Sequence, residues 1–157
     1  MLIVGSCGLH TIHGAYRDGI KPTKRDTECF LSSCYYLFKD TPAICEDFTK
    51  LTSCSTFALK FVPHRWLENV PVIVRVLEVL PALRQYKQAV DDKKLKRPDT
   101  KSYKRVADGC ADALLEVKLH LILSVANILQ SFCNASKLIS PCCHSLFVIK
   151  LTSCRIY

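Results

Sequence analysis

Phe30, Leu31, Cys34, Leu37 and Phe38 fall at i, i+1, i+4, i+7 and i+8, the spacing of one helix face. Asp26 or Thr27 stands just before them, where a side-chain oxygen can accept the free N–H groups of a helix start. The pattern predicts an amphipathic helix over about residues 27–39. Thr41-Pro42 marks a second start, with Thr as cap and Pro where its missing N–H costs nothing, and Ile44, Phe48 and Leu51 follow on one face up to about Cys54. Thr56 to Phe61 then alternates at period two, with Phe57, Leu59 and Phe61 on one side, which predicts a half-buried strand stopped by Pro63. From about His64 to Val90 a long helical pattern runs through Val70, Ile73, Leu77, Leu80 and Leu83. Pro71 and Pro81 fall inside it, so a kinked rod or two stacked helices is expected.

Toward the ends the pattern is less regular. Leu2-Ile3-Val4 reads as a short strand, and Gly14, Asp18, Gly19 and Lys21-Pro22 read as a loop. A helix is expected from about Lys101 to Asp108, a break at Gly109, and a strongly apolar helix from about Ala111 to Phe132. The last stretch, Cys133 to Tyr157, has four cysteines, no acid and no helical or strand period. The fold class this predicts is mainly α with a few short strands (α+β).

Composition narrows the class. The chain has 157 residues, 49% hydrophobic and 23% charged, which excludes a disordered or collagen-like protein and leaves room for one core of ordinary size. Ten cysteines (Cys7, Cys29, Cys34, Cys45, Cys54, Cys110, Cys133, Cys142, Cys143 and Cys154) follow no framework spacing, and Met1 to Gly5 is too short an apolar run for a signal-peptide core. A reducing, intracellular compartment is expected, with the cysteines acting as small buried hydrophobes.

The net charge of +8 is unevenly placed. Lys93, Lys94, Lys96, Arg97, Lys101, Lys104 and Arg105 share residues 93–105 with one acid, Asp99. No carboxylate follows Glu116, and the remainder of the chain is slightly acidic. A basic segment of this kind can neutralise nucleic-acid phosphates with release of counterions. It can also serve as a solvated linker between helices or mimic a nuclear-import signal. It holds one aromatic, Tyr103, and so offers no run of rings for bases to stack on.

Residues 5–13, with Cys7 and His10 in a Cys-x-x-His element, residues 57–70, with Arg65-Trp66 directly after the alternating segment, and Lys118-Leu-His resemble hAT-type transposase-like proteins. The similarity spans roughly residues 2–132 and is clearest in 2–13 and 28–90. It implies a partial RNase H-like core in 1–63, a helical insertion-like region in 64–132 with its basic linker at 93–105, and an atypical Cys-rich tail in 133–157. In that family a Trp after the core strand stacks on a displaced base, so the resemblance assigns Arg65 and Trp66 to nucleic acid. The alternative is a Trp packed at a strand–helix corner. The family's catalysis needs carboxylates converging on two metal ions. Its first two Asp lie upstream of Cys-x-x-His, where this chain has six residues and no acid, and its Glu lies beyond the insertion. No catalytic residue is carried over.

Other chemistry is weaker still. Cys7, His10 and His13 stand three apart and could supply zinc ligands, but a fourth ligand has no fixed place, and no cofactor is expected. Glu46-Asp47 and Asp91-Asp92 are adjacent pairs whose side chains diverge by about 100° on a helix, so neither converges for acid–base work. Residues 119–133 are too short and too often interrupted, by His120, Asn127 and Gln130, for a membrane span.

The expected function is that of a non-catalytic fragment of a hAT-like transposase-related protein, nuclear if the resemblance holds. Its partners would be DNA, through Arg65, Trp66 and the 93–105 bases, or a second copy, through the exposed face of residues 64–90. No membrane and no small-molecule substrate are expected. A small helical protein-interaction module with no nucleic-acid role is the alternative.

Overall fold

A computed structural model describes residues 8–19, 21–63 and 66–139. Six α-helices account for most of them: α1 (Gly8–Gly19), α2 (Lys21–Phe38), α3 (Pro42–Thr52), α4 (Val70–Asp91), α5 (Lys101–Ala111) and α6 (Leu115–Ile139). A 3-10 turn, Trp66–Asn69, leads into α4. Among the described residues there is no strand, which overturns the α+β expectation and with it the RNase H-like core: a mixed sheet is that core's frame, and this chain is a small all-α protein. Leu2-Ile3-Val4 lies outside the described residues.

The segment expected as a strand shows why. Residues 55–62 carry no regular secondary structure, and among the described residues no strand lies beside them to offer a ladder to their backbone. Asn69 takes the ladder's place. Its Oδ1 accepts from the Val62 N–H at 2.9 Å and its Nδ2 donates to the Val62 carbonyl at 2.8 Å, so one side-chain amide pairs both polar groups of one residue. Asn69 is itself buried. Nor does burial alternate: Ala58 and Phe61 are inside, Leu59 faces solvent, and the Phe57 ring sits 5.0 Å from that of Phe38.

α4 is the central element. Val72, Ile73, Val76, Val79, Leu80, Leu83 and Tyr86 are buried along it, and they share one core with Phe30, Leu31 and Leu37 of α2, Phe48 of α3, Val106 of α5, and Leu119 and Ile122 of α6. Pro71 sits in its first turn, where no N–H is needed. The helix continues through Pro81, so residues 70–91 form one element and not two stacked helices.

Two boundaries fall elsewhere than the pattern suggests, and one expected cap bond is not made. Helix α2 starts at Lys21-Pro22, ahead of Asp26 and Thr27, which are therefore interior helix residues, and the expected loop around Gly14 and Asp18 is helical. Helix α3 starts at Pro42 after Thr41, as expected, but the Thr41 hydroxyl makes no cap bond to it and instead donates to the Leu37 carbonyl at 2.5 Å, closing the end of α2. Gly109 does not break α5, which runs on to Ala111. Its lack of a side chain serves packing: a Cβ there would overlap the buried Phe30 ring, 2.8 Å from Cε2 and closer still to Cδ2. The α5–α6 turn is Asp112, whose Oδ1 accepts from the Leu114 N–H at 2.8 Å while Oδ2 holds Lys118 Nζ at 2.6 Å.

Two buried phenols knit the helices. Tyr16 of α1 donates to the Ile122 carbonyl of α6 at 2.7 Å, and Tyr86 of α4 meets the Phe48 and Tyr103 rings edge-on at 5.9 and 6.4 Å. Burial raises the Tyr16 phenol, and burial with Asp47 and Tyr103 nearby pushes Tyr86 up to about 12. Both groups stay protonated in the fold beyond the pH at which the unfolded chain loses their protons. Their contribution is thus intact below the ordinary tyrosine pKa of about 10 and is lost as pH rises toward the folded value. Melting temperature should therefore fall steeply above about pH 10, with the Tyr16 and Tyr86 phenolate absorbance appearing only as the chain unfolds. Phenolate signal from both groups in a still-folded chain near pH 10 would contradict this reading.

Of the described cysteines only Cys34 is buried as expected, and Cys29, Cys45, Cys54 and Cys110 are half-buried. Cys34 is fully buried and, by that burial, held well above the ordinary thiol value, and burial brings Cys110 up to about 11. Neither is a ready nucleophile. Cys29, Cys34, Cys45, Cys54 and Cys110 are all free.

Candidate nucleic-acid interface

The basic segment joins the end of α4 to the start of α5. At the α4 end, Lys93 takes a left-handed conformation (φ 60°). Its N–H reaches the Val90 carbonyl at 3.0 Å while the Lys94 N–H reaches that of Ala89 at 2.9 Å, the two bonds of a Schellman close. The ammonium groups of Lys93 and Lys94 thus stand beside the negative end of the α4 dipole, where cations are favoured. Lys94 also pairs with Asp92 at 3.2 Å.

At the other end the electrostatics reverse. Thr100 caps α5, its hydroxyl accepting from the Tyr103 N–H at 3.1 Å, and the first turn carries no acid. Lys101 and Lys104 sit there instead, on the positive end of a helix dipole, and Arg97 stands across from them. These three line an open recess of about 290 Å3 together with Pro98, Asp99, Thr100 and Tyr103. Tyr103 is buried and its hydroxyl has no hydrogen-bond partner among the described residues. Burial raises its phenol, Asp91 adds to this, and Arg97 and Lys87 oppose it.

Lys93, Lys96, Arg97, Lys101, Lys104 and Arg105 are exposed and make no ion pair with any described residue. By contrast, several charges elsewhere are paired: Glu46 with Lys50 and Lys87 with Asp91, each at 2.6 Å, and Arg84 with Glu116 at 3.1 Å. Glu46, Asp91 and Asp92 are thus each engaged with a separate surface partner.

The fold does not join these bases to the other candidates. Trp66 opens the 3-10 turn before α4, and the basic segment begins where α4 ends, so the length of a 22-residue helix, about 33 Å, separates them. Arg65, Cys7 and the side chains of Trp66, His10 and His13 lie outside the described residues, although His10 and His13 belong to α1 by backbone. Among the described residues no group of three His, Cys, Asp or Glu side chains is placed to hold a metal. No described helix is long and apolar enough to cross a membrane.

The reversal at the α5 N-terminus could have been read from sequence. Thr100 is an N-cap residue followed by two lysines and no acid within the first turn, the opposite of what a helix start ordinarily carries.

No protein-family model matches the chain, and neither a curated protein nor a solved structure does so.

Proposed function

We propose that this protein is a non-catalytic, all-helical module that binds the phosphate backbone of nucleic acid through Arg97, Lys101 and Lys104 at the start of α5, with Lys93, Lys96 and Arg105 flanking them. The observation that carries this reading is a helix N-terminus bearing two lysines and an arginine, with no acid in its first turn and no ion pairs to described residues. Positive side chains there repel the helix dipole, and an anion against the free N–H groups of the first turn relieves that repulsion. The hAT-type resemblance supports the same class of partner, DNA, without the family's core. Binding of this kind reads charge and not sequence.

Fluorescence anisotropy with a labelled duplex should show binding at low salt that weakens linearly on a log–log salt plot. Changing Arg97, Lys101 and Lys104 together to alanine should flatten that slope by about 2.5–3, one phosphate per residue. Absence of binding at low salt, or an unchanged slope in the triple variant, overturns the assignment.

A further inference from the structure

Helix α6 has two apolar faces, and the core uses one. Leu115, Leu119, Ile122 and Ala126 point inward and are buried. On the outer side Val117, Leu121 and Ile128, together with Leu114 in the turn directly before the helix, are 56–68% exposed. Their spacing of three, four and seven residues is that of positions a and d in a seven-residue repeat, and Ser124 and Ser131 occupy the two remaining positions of the same stripe. Such a seam normally has another helix against it.

We infer that the outer stripe of α6 pairs with the same stripe of a second copy of this chain, antiparallel, about a two-fold axis between residues 122 and 123.

Three observations choose this occupant. The first is shape. An antiparallel pairing about that axis sets Leu114 over Ser131, Val117 over Ile128 and Leu121 over Ser124, so every leucine meets a serine-sized hole. A two-fold interface must be self-complementary in this way. A parallel pairing stacks Ser124 on Ser124 and Ser131 on Ser131, leaving two layers underfilled.

The second is the state of those serines. Ser124 Oγ donates to the His120 carbonyl at 2.9 Å and Ser131 Oγ to that of Asn127 at 2.9 Å. Each hydroxyl proton is already used within the helix, so the holes bring no unpartnered donor into an apolar contact.

The third is charge. Glu116 is held by Arg84 at 3.1 Å and Lys118 by Asp112 at 2.6 Å, so the charged groups beside the stripe are balanced within the chain. No carboxylate follows Glu116 along the helix to repel or attract a partner of either sign. An interfacial membrane helix carries free Lys and Arg on its polar face, and here the lysine nearest the stripe is engaged. The seam from Leu114 to Ser131 runs about 26 Å, four to five helical turns, enough for a two-helix contact. It also relocates self-association from the 64–90 face, where Val74 is the one large apolar residue exposed on α4.

Sedimentation velocity on the full chain across micromolar to several hundred micromolar concentrations should show a monomer–dimer equilibrium. Val117→Glu and Leu121→Glu, both at positions exposed in the single chain, should weaken dimerisation by about 100-fold with helix content by circular dichroism unchanged. Val74→Glu on α4 should leave it unaltered. A photoreactive benzoylphenylalanine replacing Leu114 should crosslink to the 127–131 stretch of the second copy, which reports orientation even if a charge variant fails to fold. A chain monomeric at every concentration, a dimer indifferent to Val117→Glu and Leu121→Glu, or crosslinks from 114 to 114 would each overturn the inference. So would a monomer that instead co-sediments with phosphatidylserine vesicles, which would assign the stripe to a bilayer.

Discussion

Replacing Gly109 with alanine should destabilise the protein by about 1–3 kcal/mol, although the same change inside an exposed helix normally stabilises by about 1 kcal/mol. The sign inverts because of where α5 lies. The Gly109 backbone comes so close to Phe30 of α2 that an added methyl group overlaps the ring, and Phe30 is buried and cannot swing away. Relief requires the two helices to move apart, which also loosens Tyr103 and Val106, both buried from α5. Denaturant unfolding of Gly109→Ala measures the effect. Phe30→Leu in the same chain tests its cause, since shortening the ring should make the second change less costly and give a coupling of about 0.5–2 kcal/mol. Simple additivity, or a Gly109→Ala variant more stable than the parent, would refute the packing role.

Asn69→Ala should cost a similar amount, about 2–3 kcal/mol, because it strips partners from both backbone groups of Val62 at once. The loss has a location as well as a size. Among the described residues no strand lies beside residues 55–62, so the amide bonds of Asn69 anchor the end of this strap beside the Phe38, Phe48 and Phe57 cluster. Hydrogen exchange at the Val62 amide should accelerate sharply in Asn69→Ala, while amides in mid-α2 and mid-α4 slow or quicken only with global stability. Asn69→Asp keeps the acceptor and loses the donor, so it should restore protection at the Val62 N–H but little of the stability. A Val62 amide equally protected in all three proteins would mean that something else holds the strap.

The two predictions mark the places where the chain departs from its local pattern. Gly109 reads as a helix stop because glycine is a poor helix residue, and the reading fails because the cost of glycine in a helix is smaller than that of separating two packed helices. Residues 56–61 read as a strand because they alternate at period two, yet a strand exists only when another strand supplies its ladder. No sequence window contains that partner, and in this fold Asn69 pairs the backbone of Val62, the residue just past the segment, through its side-chain amide. The RNase H-like expectation came with the hAT-type resemblance, and it falls because no strand forms among the described residues.

The candidate interface divides in the same way. That residues 93–105 are basic, and that Thr100 can start a helix, follows from residue types and spacing alone. So does the helical character of α2, α3, α4 and α6, since their apolar residues recur at three and four positions. Which bases face one another, and that Trp66 stands a helix length from them, depends on the path of α4 and only the tertiary structure decides it. It also decides which of the two apolar faces of α6 the core claims. Periodicity marks the helix as apolar nearly all round, but burial is allotted by neighbouring elements, and here they leave Leu114, Val117, Leu121 and Ile128 in solvent.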